Sequence, residues 1–200
     1  RIKKGGSAYT FRMEKATRRA AKRAFAVALA VLAAALSAFA LYNLAERKMI
    51  YPLRYVESVD RYAAACGLDR ALVYALIKTE SGFDARAESA KGAKGLMQLT
   101  DGTAAFVAAA LGIKEYDLFD ADTNIALGCG YLCYLFGKFS EETTVLAAYN
   151  AGEGNVRSWL KDARYSSDGK TLSAVPFAET EGHVRKTMRY KEKYRKIHDL

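Results

Sequence analysis

Residues 24–45, AFAVALAVLAAALSAFALYNLA, run for 22 positions without a charged side chain. As a helix this stretch would span about 33 Å, enough for the hydrocarbon core of a bilayer. A run of that length leaves three readings: a membrane anchor, a cleaved signal, or a buried helix of a soluble protein. The flanking charge and the run length count against the buried helix. Ala38 and Ala40 offer the small residues that a signal peptidase reads, but the apolar region of a signal peptide is usually only about 7–15 residues. An uncleaved anchor is therefore favoured. The leader, residues 1–23, carries nine Lys or Arg side chains against Glu14 alone. Positive charge stays on the inner side, so residues 46–200 are expected to face outward. No Cys comes directly after the apolar run, which argues against a lipidated N-terminus.

The formal net charge of the chain is +9, and the leader holds nearly all of it. The rest of the chain is close to neutral and gives no reason to invoke nucleic acid. Cys66, Cys129 and Cys133 cannot form a closed disulfide framework, and they show no metal-ligand spacing. Cys129 and Cys133, four apart, are read as small packing residues on one helical face. Pairing of Cys66 with one of them stays open. His183 and His198 are far apart in sequence, and neither a metal nor a cofactor is expected.

After a polar connector (46–54, with Pro52), the pattern becomes helical from residue 55. Val56, Val59, Tyr62 and Ala63 form a stripe that ends at Cys66-Gly67. Asp69 is a candidate cap for a helix over 68–79, in which Leu72, Ala75, Leu76 and Ile77 form an apolar face. Glu80 lies four residues after Leu76 and three after Ile77, so it shares that face. A carboxyl there is desolvated, which favours its protonated form, and Ser81-Gly82 then breaks the helix. This is the setting a general acid needs. A glycine-punctuated loop covers 82–95. Further helices are expected over 102–111 with Asp101 as cap, 124–139 with Asp122 or Thr123 as cap, 141–149, 155–160 and 179–198. Residues 161–175 read as a polar surface excursion. No strand-like alternation or internal repeat occurs, so the fold class is mainly α, one helical domain over 55–200.

Four separated pieces carry a resemblance: Glu80-Ser81-Gly82-Phe83, Gly95-Leu96-Met97-Gln98-Leu99-Thr100, Ala147-Ala148-Tyr149-Asn150-Ala151-Gly152, and Pro176-Phe177-Ala178-Glu179-Thr180. In order and spacing the chain resembles the soluble lytic transglycosylase family, whose domains have the lysozyme-like fold. The resemblance covers about residues 55–195. It implies a mainly α, lysozyme-like domain that cleaves the β-1,4 bond between N-acetylmuramic acid and N-acetylglucosamine in peptidoglycan strands and forms 1,6-anhydromuramic ends. With the anchor, it implies a single-pass protein of the bacterial cell membrane with its catalytic domain on the extracytoplasmic side.

Residue by residue, the resemblance makes Glu80 the single catalytic acid and base. Ser89 corresponds to a cleft hydroxyl, and Gln98 to a hydrogen-bonding partner of the sugar. Met97 lines or supports the floor, and Tyr149 places its hydroxyl near Glu80. Asn150 contacts the N-acetyl side or holds the turn, and Glu179 is the acidic residue on the far wall. Asp84 and Glu88, in the adjacent loop, are read as solvated. The chain departs from the family pattern at its last motif, where the family commonly has Arg after Glu-Thr and then Tyr-Val. Here those positions are Glu181 and His183-Val184, and His183 is read as a surface or stacking residue, not a catalytic base. The basic face of the last helix (Arg185, Lys186, Arg189, Lys193, Lys196) is read as solvated. Two alternatives remain open: a muramidase-type hydrolase resembling goose-type lysozyme, and a non-catalytic wall-binding module.

Overall fold

The computed structural model describes residues 6–200; Arg1, Lys3 and Lys4 of the basic leader lie outside the described residues. The chain divides into two compact units, 1–50 and 51–200. The first is one long helix, α1 (Gly6–Ala45), that runs on into a π-helical turn over Glu46–Ile50. Its most apolar 18-residue window has a mean hydropathy of 2.5, and none of that window is buried. Helix extends beyond the uncharged run at both ends, through part of the basic leader and into the first half of the expected connector. Tyr51 and Pro52 belong to the second unit. The buried Tyr51 ring meets Tyr194 edge-on at 5.5 Å, and Tyr194 donates to the Pro52 carbonyl at 3.3 Å.

Seven helices build the second unit: α2 (Val56–Cys66), α3 (Arg70–Glu80), α4 (Asp101–Leu111), α5 (Ala121–Phe136), α6 (Glu142–Ala151), α7 (Glu153–Leu160) and α8 (Ala178–His198). Among the described residues β-structure is limited to isolated bridges, Glu88 with Lys94 and Lys94 with Leu99. Helix α3 is the axis of this unit. Every residue from Ala71 to Ile77 is buried, not only the one face that the spacing marks. A short helix that is apolar all round belongs inside a core. Removing each large side chain of this kind from water stabilises the fold by about 1.5–3 kcal/mol. Helix α8 is its most extensive neighbour, and the Tyr74 and Tyr194 rings stack between the two helices at 5.5 Å.

The caps are decided by reach. Asp69 accepts from the Ala71 N–H at 2.9 Å and starts α3 as expected. Helix α4 is capped by Thr100, not Asp101, and α5 by Asp120, not Asp122 or Thr123. Asp101 and Asp122 already lie inside the first turn, past the cap positions from which Thr100 and Asp120 accept the Thr103 and Thr123 N–H groups. Asp122 instead accepts from Ser58 Oγ at 2.6 Å and the Tyr62 hydroxyl at 2.8 Å, which ties α5 to α2. All three cysteines are free. Cys129 is in the core, while Cys133 Sγ lies 4.0 Å from the Cys66 carbonyl. Burial, then the neighbouring Cys133, pushes the Cys66 thiol up to about 11.

A loop of tight turns joins α3 to α4, and a buried side chain fixes it. Asn124, on α5 and fully buried, accepts from the Met97 N–H at 2.8 Å. Its amide group donates to the Lys94 carbonyl at 3.0 Å and the Leu118 carbonyl at 2.8 Å. Gly95 lets the loop come this close. Its φ is +75°, and a Cβ there would lie 2.2 Å from the Leu118 carbonyl oxygen and 2.3 Å from Asn124 Nδ2. No L side chain fits that conformation without strain.

A second set of charges joins α8 to the starts of α3 and α6. The Lys191 ammonium, nearly buried, lies 2.6 Å from Glu142 and 3.2 Å from Asp69, and Arg195 reaches Asp69 at 2.6 Å. Burial alone would raise the Asp69 carboxyl. The hydrogen bonds from Lys191 and the Ala71 N–H outweigh it, and hold the group below the usual aspartate range.

Both polar clusters can be tested. Asn124→Ala leaves the Met97 N–H and the Leu118 carbonyl buried without partners, each costing about 1–3 kcal/mol, while the Lys94 carbonyl keeps its bond from the Leu99 N–H. We expect urea unfolding of the second unit to show a loss of about 2 kcal/mol or more, and a loss below about 1 kcal/mol would show that the loop does not depend on Asn124. Asp69 binds its proton less tightly folded than unfolded, so its stabilising share is complete above about pH 4 and fades as pH falls. Asp69→Asn keeps the cap and removes the charge. Its melting temperature should lie below the parent's at pH 7 and converge with it towards pH 3; a gap independent of pH would refute the assignment.

Candidate active site

Glu80 is the last residue of α3, so its backbone is fixed by the most buried helix of the unit while its side chain leaves the core. Ser81 secures the exit. Its Oγ lies 2.8 Å from the Leu96 carbonyl and accepts from the Phe83 N–H at 3.2 Å. The same hydroxyl therefore holds the end of α3 against the 95–99 turn that Asn124 anchors from the other side. Within that turn Lys94 and Leu99 exchange backbone hydrogen bonds at 2.9 and 3.0 Å, and Gln98 sits at a left-handed φ of +49°. The Tyr149 hydroxyl, from α6, donates to the Met97 carbonyl at 2.8 Å.

These elements enclose a cleft of about 380 Å³. Glu80, Ser89, Gln98, Tyr149, Asn150 and Glu179 all line it, together with Lys91, Thr103 and Tyr131. The Glu80 side chain is 14% exposed. Ser89 Oγ accepts from the Ala93 N–H at 3.0 Å, which leaves its own proton to donate. Gln98 uses its amide nitrogen on the Ala87 and Gly95 carbonyls, at 3.1 and 3.0 Å, so its Oε1 is the atom left for a ligand. Asn150 Oδ1 accepts from Thr180 at 2.8 Å, which leaves its Nδ2 as the donor. Burial and then the Glu80 carboxylate raise Tyr149 well above the usual tyrosine range, so its hydroxyl stays neutral. Tyr131 packs on Tyr149 with ring centroids 5.4 Å apart.

Two expectations need correction. Met97 does not line the cleft: its side chain is fully buried beneath the wall, close enough to α5 that a Cβ on Gly128 would lie 2.2 Å from its sulfur. It supports the site from behind. At the rim of the cleft Lys91 and Glu179, both largely exposed, approach to 3.6 Å. Finally, His183 is neither a surface nor a stacking residue. Its Nε2 lies 2.8 Å from Glu80 Oε1, and its side chain is only 9% exposed. Asp84 and Glu88 are exposed, as expected of solvated loop residues.

The signal for His183 is in the spacing of α8. Thr180, Val184, Thr187, Lys191 and Tyr194 are its buried residues, and they recur at three- and four-residue intervals. His183 lies on that stripe. Hydropathy hides the stripe because three of its five members are polar, each satisfied across the interface. Thr187 Oγ1, for example, is 3.0 Å from Thr79 Oγ1. Asn124 and Ser81 escape sequence reasoning for a related cause: a polar residue whose work is to bind distant backbone has no periodicity of its own. Among the described residues no group of three or more His, Cys, Asp or Glu side chains is placed to hold a metal ion.

Comparison with known proteins agrees with this geometry. The family model for the transglycosylase SLT domain matches residues 57–172. The soluble lytic murein transglycosylase of Escherichia coli K12 is 34% identical over 151 residues, which is 72% of this chain and 23% of that protein. The membrane-bound lytic murein transglycosylase C of Edwardsiella ictaluri is 31% identical over 170 residues, 72% of this chain and 47% of that one. Among solved structures, the lytic transglycosylase Slt of Pseudomonas aeruginosa, in an inactive mutant with one Glu replaced by Gln, superposes with a TM-score of 0.65 at 34% identity over 73% of this chain and 24% of that one. The chain thus spans about a quarter of the soluble relatives it matches. On the family match and these relatives together, this chain belongs to the transglycosylase SLT domain family, with the lysozyme-like helical fold.

Proposed function

We propose that this chain is a peptidoglycan lytic transglycosylase that cuts the β-1,4 bond between N-acetylmuramic acid and N-acetylglucosamine without admitting water. The observation that carries the reading is Glu80 itself: one shielded carboxyl at the floor of a cleft whose other acidic wall residue, Glu179, is 76% exposed and faces Lys91. Most glycosidases need two carboxyl groups, one to protonate the leaving oxygen and one to act as nucleophile or to activate water. A cleft with a single shielded acid suits the substrate-assisted route. The Glu80 proton passes to the glycosidic oxygen as the bond to C1 breaks, and the N-acetyl group of the substrate supports the positive charge on the sugar. The Glu80 carboxylate then takes the proton of the 6-hydroxyl as that oxygen bonds to C1. The acid is restored and a 1,6-anhydro ring closes.

The other cleft groups bind and orient. Ser89 and Asn150 offer donors and Gln98 an acceptor to the sugar hydroxyl and acetamido groups, while Tyr149, kept neutral, braces the Met97 backbone. The names of the relatives, soluble and membrane-bound lytic murein transglycosylases, support this substrate class. Helix α1 supports a single-pass anchor, with its basic end inside and the cleft on the outer face of the membrane.

Digestion of purified peptidoglycan by the full chain in detergent should release fragments with anhydromuramic ends, lighter by one water than hydrolysed ends when weighed by mass spectrometry. New reducing ends would establish a muramidase instead. Glu80→Gln should lower kcat by about 10²–10⁴-fold while leaving the melting temperature near the parent's; unchanged turnover would reject Glu80 as the acid. For the anchor, we expect residues 24–45 to be retained in the mature protein and the protein to stay with membranes through alkaline carbonate extraction. A mature mass beginning at Leu41 would instead show a cleaved signal.

A further inference from the structure

Helix α8 places an imidazole directly against the carboxyl that does the chemistry, and the two nitrogens of that imidazole are in unequal surroundings. His183 Nε2 is 2.8 Å from Glu80 Oε1, whereas Nδ1 is buried and pairs with no protein group. A proton on Nδ1 would be a donor sealed from water without an acceptor, which is costly for a neutral group and more so for a charged one. A bare Nδ1 avoids that cost in full as a donor and leaves only an unused lone pair.

Two lysines lie beside the last turn of α3. Lys186, on α8, places its ammonium 3.4 Å from the Thr79 carbonyl, one residue before Glu80. Lys78, on α3, lies over the Tyr51 and Tyr190 rings, and burial together with Lys186 lowers its own proton affinity. From α6 the site meets Tyr149, whose hydroxyl is neutral. The acidic residues on this part of α8 are exposed and already face cations, Glu179 with Lys91 and Glu181 with Arg185. A second proton on His183 would therefore place a new N–H in a buried position that holds no acceptor for it.

We propose that His183 is a positioning residue for the catalytic acid: a neutral imidazole, protonated on Nε2 alone, that donates to Glu80 Oε1 and so leaves Oε2 as the oxygen that carries and exchanges the reacting proton. The inference rests on the reading of Glu80 as the acid. Through the cycle the Oε2–H bond breaks as the glycosidic oxygen takes the proton. The charge left on the carboxylate is met by an N–H already in place, and Oε2 regains a proton from the 6-hydroxyl. His183 keeps the same single proton throughout. The imidazole thus fixes which carboxyl oxygen faces the cleft, and it stabilises the intermediate carboxylate at no reorganisation cost.

The test combines a spectroscopic and a kinetic reading on the full chain in detergent. With His198→Gln, His183 is the sole histidine, and ring-15N labelling reports its protonation directly. We expect a protonated Nε2 and a bare Nδ1 across the pH range of activity; an imidazolium, or the opposite tautomer, overturns the proposal without any change at the site. In kinetics, His183→Ala should lower kcat on the order of 10²-fold with KM nearly unchanged, and His183→Gln, which keeps an N–H donor at about the same reach, should recover most of that loss. Equal losses in the two variants, with melting temperatures near the parent's, would mean that the residue only fills space. Activity surviving in Glu80→Gln would remove the reading on which the inference stands. An inactive Glu80→Gln beside a fully active His183→Ala would remove the inference alone.

Discussion

A carboxyl can be kept from bulk water at the floor of a cleft only if the backbone around it has its own polar groups satisfied. Here one side chain carries much of that requirement. Asn124 closes three hydrogen bonds at once, to Met97, Lys94 and Leu118, from a position with no solvent exposure. Without it the Met97 N–H of the 95–99 turn and the Leu118 carbonyl would be left unpaired in the core, and such groups are costly in an apolar interior. Gln98, and through the Met97 carbonyl Tyr149, take their places in the cleft from that turn. The wall of the site is in this sense an extension of α5.

The other half of the site comes from α3 and α8. Helix α3 is buried on all sides, so its last residue has little freedom. Helix α8 is held by groups at both ends of its inner face, Thr180 on Asn150 and Lys191 with Arg195 on Asp69 and Glu142. Between those attachments His183 meets Glu80. The contact is thus set by two helices that are each fixed independently of it, and this suits a residue whose task is to orient another. Rigid supports of this kind leave the reacting groups little reorganisation to undergo in a chemical step.

Much of this is legible in the chain without coordinates. Three-and-four spacing gives the helical architecture, and the apolar face of α3 points to Glu80. Short motifs locate Gln98, Tyr149, Asn150 and Glu179, and the family resemblance adds Ser89, nine residues after Glu80; all five line one cleft. The errors share a cause, which is that spacing does not say where a side chain is aimed. Met97 sits in a motif with residues that face the cleft, but the left-handed turn at Gln98 sends neighbouring side chains to opposite sides of the wall. His183 reads as a surface residue because its helix is largely polar. The caps of α4 and α5 fall one to three residues away from their expected places because Asp and Thr occur close together at both starts, and only reach decides between them.

Local and repetitive features are set by the chain alone: the long uncharged helix, the succession of amphipathic helices, the glycine loop and the acid at a helix end. Backbone hydrogen bonding and the removal of apolar surface from water act at fixed intervals along the chain, so composition and spacing record them. Helix packing settled the rest, namely the meeting of residues distant in sequence, such as Asn124 with Met97 and His183 with Glu80. A pair of polar groups facing each other across a buried interface leaves no periodic trace in either segment, because the partner's position depends on how the helices between them pack.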